Sequence, residues 1–233
     1  AYVFLRLVGA SLIFGLLMLR RFRRLPRKVH IKLLLMAFFQ PTLYFLFESA
    51  GLQFTSASSA SMIIAGIPGV VALLAGFFLK ERLSTRQWAG VLLSIAGVIL
   101  LAGFDDNPTY SGSSLLGNGL VILAALSASM YMIVARHLSA NLSAVELTFY
   151  QVFYGMVLLA PVFFIQIAEI SWDSISLPAV GALVFLIIGA TLVAFLAYNF
   201  ALTRIDASRA AVFLNGVPLA SILVSWIILG ERL

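Results

Sequence analysis

The 233-residue chain is 62% hydrophobic and only 10% charged, with a mean hydropathy of +1.09 and a formal net charge of +6. Soluble domains carry roughly 25% charged residues, so a water-soluble fold is excluded and the chain reads as an all-α polytopic membrane protein. Its basic residues sit between apolar runs, which argues against nucleic acid as a partner, and with no cysteine there is no disulfide, thiolate metal site or cysteine nucleophile.

A bilayer-crossing helix takes about 20 predominantly apolar residues. Eight such runs are predicted, at 2–19, 32–54, 59–79, 87–104, 117–135, 147–168, 178–201 and 210–229. The first lacks a basic leader and is followed by "RRFRRLPRK", a stop-transfer pattern. It carries Arg6, about five residues inside its outer end. The second run holds Glu48, an acidic residue well inside a span, where an ionisable group is costly and a functional candidate. Gln40, Tyr44, Glu48 and Gly51 follow at helical spacing and predict one polar stripe. Arg6 and Glu48 lie at similar depth, so an ion pair between them is expected, with Arg6 snorkelling outward as the alternative.

The third run contains Ser61, Gly66 and Pro68, and a proline in mid-helix removes a backbone donor. In the fifth, Ser127 and Tyr131 share a face. Tyr198 and Asn199 interrupt the seventh, and Asn215, Gly216 and Pro218 stand in the eighth. Gln40, Tyr44, Glu48, Ser61, Ser127, Tyr131, Tyr198, Asn199 and Asn215 are therefore the candidate cavity-lining or substrate-binding residues. Gly66, Pro68, Gly216 and Pro218 are candidate hinges. Glu81 and Arg82 read as a structural tie or gate at a helix end. His30 and His137 fall in basic connectors and form no metal pair; no catalytic residue, metal or cofactor is predicted. No phosphate-cradling loop is present, which disfavours ATP-driven transport.

Orientation follows from the charges. The 19–32 connector carries seven Lys and Arg residues, and Lys80, Arg82, Arg86, Arg136, Arg204 and Arg209 fall in every second connector after it. The connectors between hold none. The basic connectors are thus expected in the cytoplasm, and a prokaryotic inner membrane suits the short loops. Arg6 and Arg232 stand apart from this set.

The chain also repeats itself. Residues 45–83 lie over 195–233 without a gap at an offset of 150, with 13 of 39 positions identical, among them Ala57/Ala207, Ser58/Ser208, Gly66/Gly216, Pro68/Pro218 and the Glu-Arg-Leu at 81–83 and 231–233. The matched helices are the third and the eighth runs, an odd number of spans apart, so the copies are expected to cross in opposite directions. Inverted-topology repeats are a hallmark of alternating-access secondary transporters, whose sites lie at the repeat interface near mid-membrane. The pattern predicts five helices per repeat, so one further helix is expected before the first visible span and one after the last.

The "sAs-A-----Pv---l----l-ERLs---w-G--Li--Gv-l" pattern at 56–101 and "LVILAALSASMYMIVARHL" at 120–138 resemble the EamA-type transporters of the drug/metabolite transporter superfamily. The resemblance implies ten helices in two inverted repeats, here 1–105 and 117–233 joined by an extracytoplasmic linker at 106–116. It also implies a central cavity and export of small metabolites such as amino acids. Two alternatives are carried with it. One is exchange of nucleotide sugars or phosphorylated metabolites, which needs intramembrane cations. The other is a non-transporting membrane scaffold. The expected partners are a small-molecule substrate and the lipid bilayer; Glu48 is the candidate for a proton- or charge-sensing group, an uncoupled facilitator is equally compatible, and coupling ion and oligomeric state are left open.

Overall fold

A computed structural model of the chain describes residues 2–19, 24–81, 84–85, 87–93, 96, 114–169 and 176–216. All regular structure among them is helical. Five stretches are long and apolar enough to cross a bilayer: Arg27–Gly51, Ser59–Leu79, Leu115–Leu138, Ala144–Gln166 and Leu177–Arg204. Tyr2–Met18 is a shorter apolar helix. These match the predicted first, second, third, fifth, sixth and seventh runs to within a few residues. The eighth run is described only over its first residues, and most of the fourth lies outside the described set, as do Arg82, Arg232 and Pro218.

The elements in order are α1 (Tyr2–Met18), α2 (Arg27–Ala37), α3 (Tyr44–Gly51), α4 (Ala57–Ala65), α5 (Ile67–Leu74), α6 (Ser114–Leu138), α7 (Ala144–Gln166), α8 (Leu177–Phe185), α9 (Ala194–Arg204) and α10 (Ala207–Val212). Helix starts are marked by side-chain caps, which satisfy first-turn amides. Ser56 Oγ accepts from the Ser59 amide at 3.1 Å. Ser143 and Glu146 form a reciprocal capping box that opens α7. Lys80, with φ of 56°, ends the α5 stretch in the left-handed conformation.

Three of the described stretches are π-helical. Phe38–Leu43 joins α2 to α3 as a π-helical segment in which Gln40 is extended (φ −145°, ψ 119°). Proline disfavours the α conformation in the residue before it and offers no amide, so Pro41 accounts for the break at Gln40. Leu186–Val193 joins α8 to α9 in the same π-helical form. Ala75–Leu79 extends α5 likewise.

The first two breaks stand at the 150-residue offset of the sequence repeat. Past the first, the Tyr44 amide donates to the carbonyls of Phe39 and Pro41; past the second, the Ala194 amide donates to those of Gly189 and Thr191. Ser56 and Asp206 occupy matched N-cap positions, and Gly66 and Gly216 take nearly the same dihedrals (φ −75°, ψ −14° and φ −75°, ψ −18°). The repeat is therefore one of local structure as well as of residues.

The chain forms two compact units, Ala1–Phe45 with Val134–Arg204, and Leu46–Ile133 with Ile205–Leu233. In the first, α7 is the central helix, contacted by α1, α2, α9 and the Phe38–Leu43 segment. Its core is Val3, Leu7, Ala10, Phe14, Val152 and Leu159, extended by Phe4 stacked on Phe163 at 4.3 Å between ring centres. Small residues let the helices approach the breaks, as expected where membrane helices pack without a hydrophobic driving force. A Cβ on Gly155 of α7 would fall on the Pro41 ring, and one on Gly9 of α1 would come within 2.7 Å of Ile187. In the second unit α10 packs on α5. There, Gly117 of α6 lies so close to the turn after α3 that an added Cβ would meet the Thr55 amide at 2.8 Å. Beside it the Thr55 hydroxyl donates to Asn118 Oδ1 at 2.6 Å.

Gly155→Leu is expected to destabilise the protein by about 1–3 kcal/mol through overpacking. Gly119→Ala, at a position with nothing within 4 Å, is expected to cost nothing. Thermal unfolding in detergent distinguishes the two.

Candidate functional site

Both helix breaks in the first unit receive a polar side chain from a neighbouring helix. At the first, Gln151 of α7 donates from Nε2 to the carbonyl of Gln40 at 3.4 Å. Its Oε1 accepts from Asn199 Nδ2 of α9 at 2.9 Å, and Asn199 also donates to the Thr148 hydroxyl at 3.0 Å. The Thr148 hydroxyl in turn donates to the carbonyl of Ala144 at 2.8 Å. Thr148, Gln151 and Asn199 are all completely buried. At the second break, Arg6 Nε of α1 donates to the Thr191 hydroxyl at 3.1 Å, and that hydroxyl donates to the carbonyl of Leu186 at 2.9 Å. The Arg6 guanidinium also lies over the Phe45 ring, 5.3 Å from its centre, where the ring face attracts a cation.

Polar groups at this depth are tolerated when satisfied and expensive when not. The Thr148–Gln151–Asn199 set is satisfied as described. Near the first break, Gln40 Oε1 and the Thr42 hydroxyl are buried with no hydrogen-bond partner among the described residues, as is the Ser11 hydroxyl on α1.

The expected candidates divide among these surroundings. Asn199 sits at the centre of the buried network. Gln40 stands at the break, so the single continuous helix expected over Gln40, Tyr44, Glu48 and Gly51 is interrupted at its head by extended backbone at Gln40. Gly51 is a packing residue, whose added Cβ would lie 2.8 Å from Val121. Tyr44, Glu48 and Tyr198 are half-buried. Arg6 belongs to the first unit and Glu48 to the second. Ser127 and Tyr131 are buried, and the Ser127 hydroxyl donates to the carbonyl of Leu123 at 2.8 Å, the back-bonding that serine commonly makes in helices. Ser61 is exposed.

Of the hinge candidates, Gly66 separates α4 from α5, and Pro68 is buried in the first turn of α5, where its missing amide costs nothing. Gly216 caps the short turn Phe213–Asn215. The Asn215 side chain and Pro218 lie outside the described residues.

His30 and His137, expected in connectors, belong to helices. His30 Nδ1 shares a 2.7 Å hydrogen bond with the Tyr154 hydroxyl, and His137 Nε2 lies 2.9 Å from Lys32 Nζ. Among the described residues no cluster of three His, Asp or Glu side chains could hold a metal.

Glu81 is a tie in the literal sense. Its carboxylate accepts from the amides of Ala207 and Ser208 at 3.0 and 3.3 Å and from the Ser208 hydroxyl at 2.6 Å. Asp206, the N-cap residue of α10, makes no side-chain cap bond of its own, so Glu81 supplies the cap from a distant helix end. A second such closure ends α9: Arg136 and Ser139 both donate to the Leu202 carbonyl, at 2.6 and 3.0 Å.

Thr148 and Gln151 escaped prediction as site members, because a lone Thr or Gln on an apolar helix carries no motif. The break at 186–193 was also unmarked, since Thr191 stands where the first copy has Pro41.

Glu81→Gln is expected to cost about 1–2 kcal/mol, as a charged acceptor of three hydrogen bonds becomes a neutral one. A double-mutant cycle with Ser208→Ala should return a coupling of about 1 kcal/mol in thermal unfolding, and a coupling near zero would dismiss the tie. Asn199→Leu, which removes the donor to Gln151 Oε1 and Thr148, should cost about 1–2 kcal/mol in the same measurement.

Comparison with known proteins agrees with this architecture. The model of the EamA-like transporter family matches residues 1–103 and 115–233. An uncharacterized transporter of Archaeoglobus fulgidus is 28% identical over 229 residues, 98% of this chain and 79% of that protein. The uncharacterized transporter YcxC of Bacillus subtilis is 31% identical over 212 residues, 87% of this chain and 67% of that one. A probable terminal-alkyne amino-acid exporter of Streptantibioticus cattleyicolor is 26% identical over 175 residues, 75% of this chain and 57% of the relative. One crystal structure superposes with a TM-score of 0.77 over the whole chain and 79% of its own, at 19% identity, a likeness of fold alone. Near-complete coverage by the family model, on a chain built of bilayer-length apolar helices, makes this integral membrane protein a member of the EamA-like transporter family.

Proposed function

We propose that this chain is a secondary transporter that exports small organic metabolites, amino acids among them, by alternating access between two inverted repeats. The observation that carries the reading is the recurrence of one π-helical segment at the repeat offset, at 38–43 and 186–193, each time with a polar side chain reaching it from an adjoining helix. Transporters place broken helices at corresponding positions of their repeats because unwound backbone offers hydrogen-bonding groups to a substrate. In this reading, the orphan Gln40 and Thr42 groups face the pathway, and Glu48 is the charge that responds to protons. The cytoplasmic side is the one bearing Lys80 and Arg136. The amino-acid class is suggested by the name of the Streptantibioticus relative.

A phosphorylated substrate is less well served. It needs cations along the pathway, and the intramembrane cation Arg6 is already committed to Thr191 and the Phe45 ring. A scaffold would have no use for repeat-matched breaks.

Flux of a panel of amino acids in proteoliposomes, with and without an imposed pH gradient, tests the proposal. Transport should follow the gradient and fall at least tenfold in Glu48→Gln. Flux indifferent to both would remove proton coupling while keeping transport. Cysteines placed at 61 and 198 in this cysteine-free chain should be protected from labelling by the transported solute, and no protection by any solute would favour the scaffold.

A further inference from the structure

At one end of the first unit, the start of α2, the end of α6 and the turn before α7 enclose a recess of about 390 Å³. Arg24, Lys28, Lys32 and His137 line it, with Val29 and Leu142 supplying apolar wall. Lys32 Nζ and His137 Nε2 are only 2.9 Å apart. None of Arg24, Lys28 and Lys32 meets a carboxylate among the described residues, so three fixed positive charges converge uncompensated on one cavity. The start of α2 adds its positive dipole end, and its N-cap residue, Pro26, has no side-chain cap. Every feature of the recess favours an anion.

What lies beneath it selects the kind of anion. From the recess, α2 and its C-cap residue present Ile31, Leu34, Leu35 and Phe38, all exposed, at i, i+3, i+4 and i+7. This is an apolar stripe continuous with the basic end. Three apolar helices end or begin here, which sets the recess at headgroup level. A soluble phosphate would use the cations and leave the stripe unused. A phospholipid uses both, because its phosphate meets the basic residues while an acyl chain covers the apolar ones.

We infer that this recess is a binding site for an anionic phospholipid, its phosphate held by Arg24, Lys28 and Lys32 and one acyl chain lying along Ile31, Leu34 and Phe38. Basic recesses at the ends of membrane helices are suited to such headgroups, at about 1 kcal/mol per Lys or Arg near the surface. The site is independent of the substrate pathway and of the transport direction proposed above.

Native mass spectrometry of the intact protein in neutral detergent, titrated with dioleoyl phosphatidylglycerol or dioleoyl phosphatidylcholine, tests it. The protein should retain phosphatidylglycerol in preference. Lys28→Ala/Lys32→Ala should weaken that binding about 30-fold and leave phosphatidylcholine unchanged. Arg204→Ala/Arg209→Ala, which removes two exposed cations elsewhere, should leave both lipids unchanged. Ile31→Gln/Leu34→Gln should weaken phosphatidylglycerol while leaving the soluble headgroup, glycerol phosphate, unaffected. Equal losses in the two cation variants would reduce the effect to bulk charge and overturn the site. Glycerol phosphate binding as tightly as the lipid would overturn the lipid assignment in favour of a free phosphate.

Discussion

Inside a bilayer every backbone N–H and C=O must find a partner in the protein, since no water is there to supply one. A continuous helix meets this requirement by itself, and a broken one does not. One span of this chain is broken at Gln40 and another turns π-helical at 186–193, and much of the first unit is arranged around these two places. Gln151 reaches the Gln40 carbonyl, the Thr191 hydroxyl reaches the Leu186 carbonyl, and Arg6 bonds that hydroxyl in turn. Gly155 and Gly9 provide the space for α7 and α1 to come close enough. Packing, polarity and glycine placement thus answer one constraint at two matched places.

Such an arrangement is easier to understand in a machine than in a scaffold. Breaks in spans cost stability unless each freed group is re-bonded, and polar side chains at depth add their own desolvation. Here the re-bonding is done by side chains, which can exchange partners without unfolding a helix. Two breaks of the same hydrogen-bond pattern, in a member of a transporter family, are what two repeats sharing a pathway would need. The Glu81 tie belongs to the same logic at a helix end. A carboxylate on one helix terminus holds the first turn of another, and one rotamer change would release it.

The sequence revealed some of this readily and some not at all. Spans are legible because the bilayer imposes a length, so the run 59–79 coincides with the helical stretch Ser59–Leu79. The repeat is legible because identical residues such as Gly66 and Gly216 do local work, ending a helical turn with nearly the same dihedrals, that depends on few neighbours. The break at Gln40 precedes Pro41 but was not predicted, because it lies in an apolar run that reads as one helix. The break at 186–193 has no proline and emerges only from tertiary packing. Partnerships are the least legible. Asn199 stood out as a polar residue in a span, but its partners Thr148 and Gln151 are about fifty residues away, and Glu81 meets Ser208 across a separation of 127. Spacing along one helix identifies a face and leaves its partners unspecified.

The central claim is that the two copies of the repeat cross the membrane in opposite directions, and topology tests it most directly. Single cysteines would be placed at the matched N-cap positions 56 and 206 of this cysteine-free chain and labelled with an impermeant thiol reagent in oriented vesicles. Inverted repeats predict that position 56 reacts from the outside and position 206 from the cytoplasmic side. Labelling of both from the same side would contradict the inversion, and with it alternating access between the two repeats.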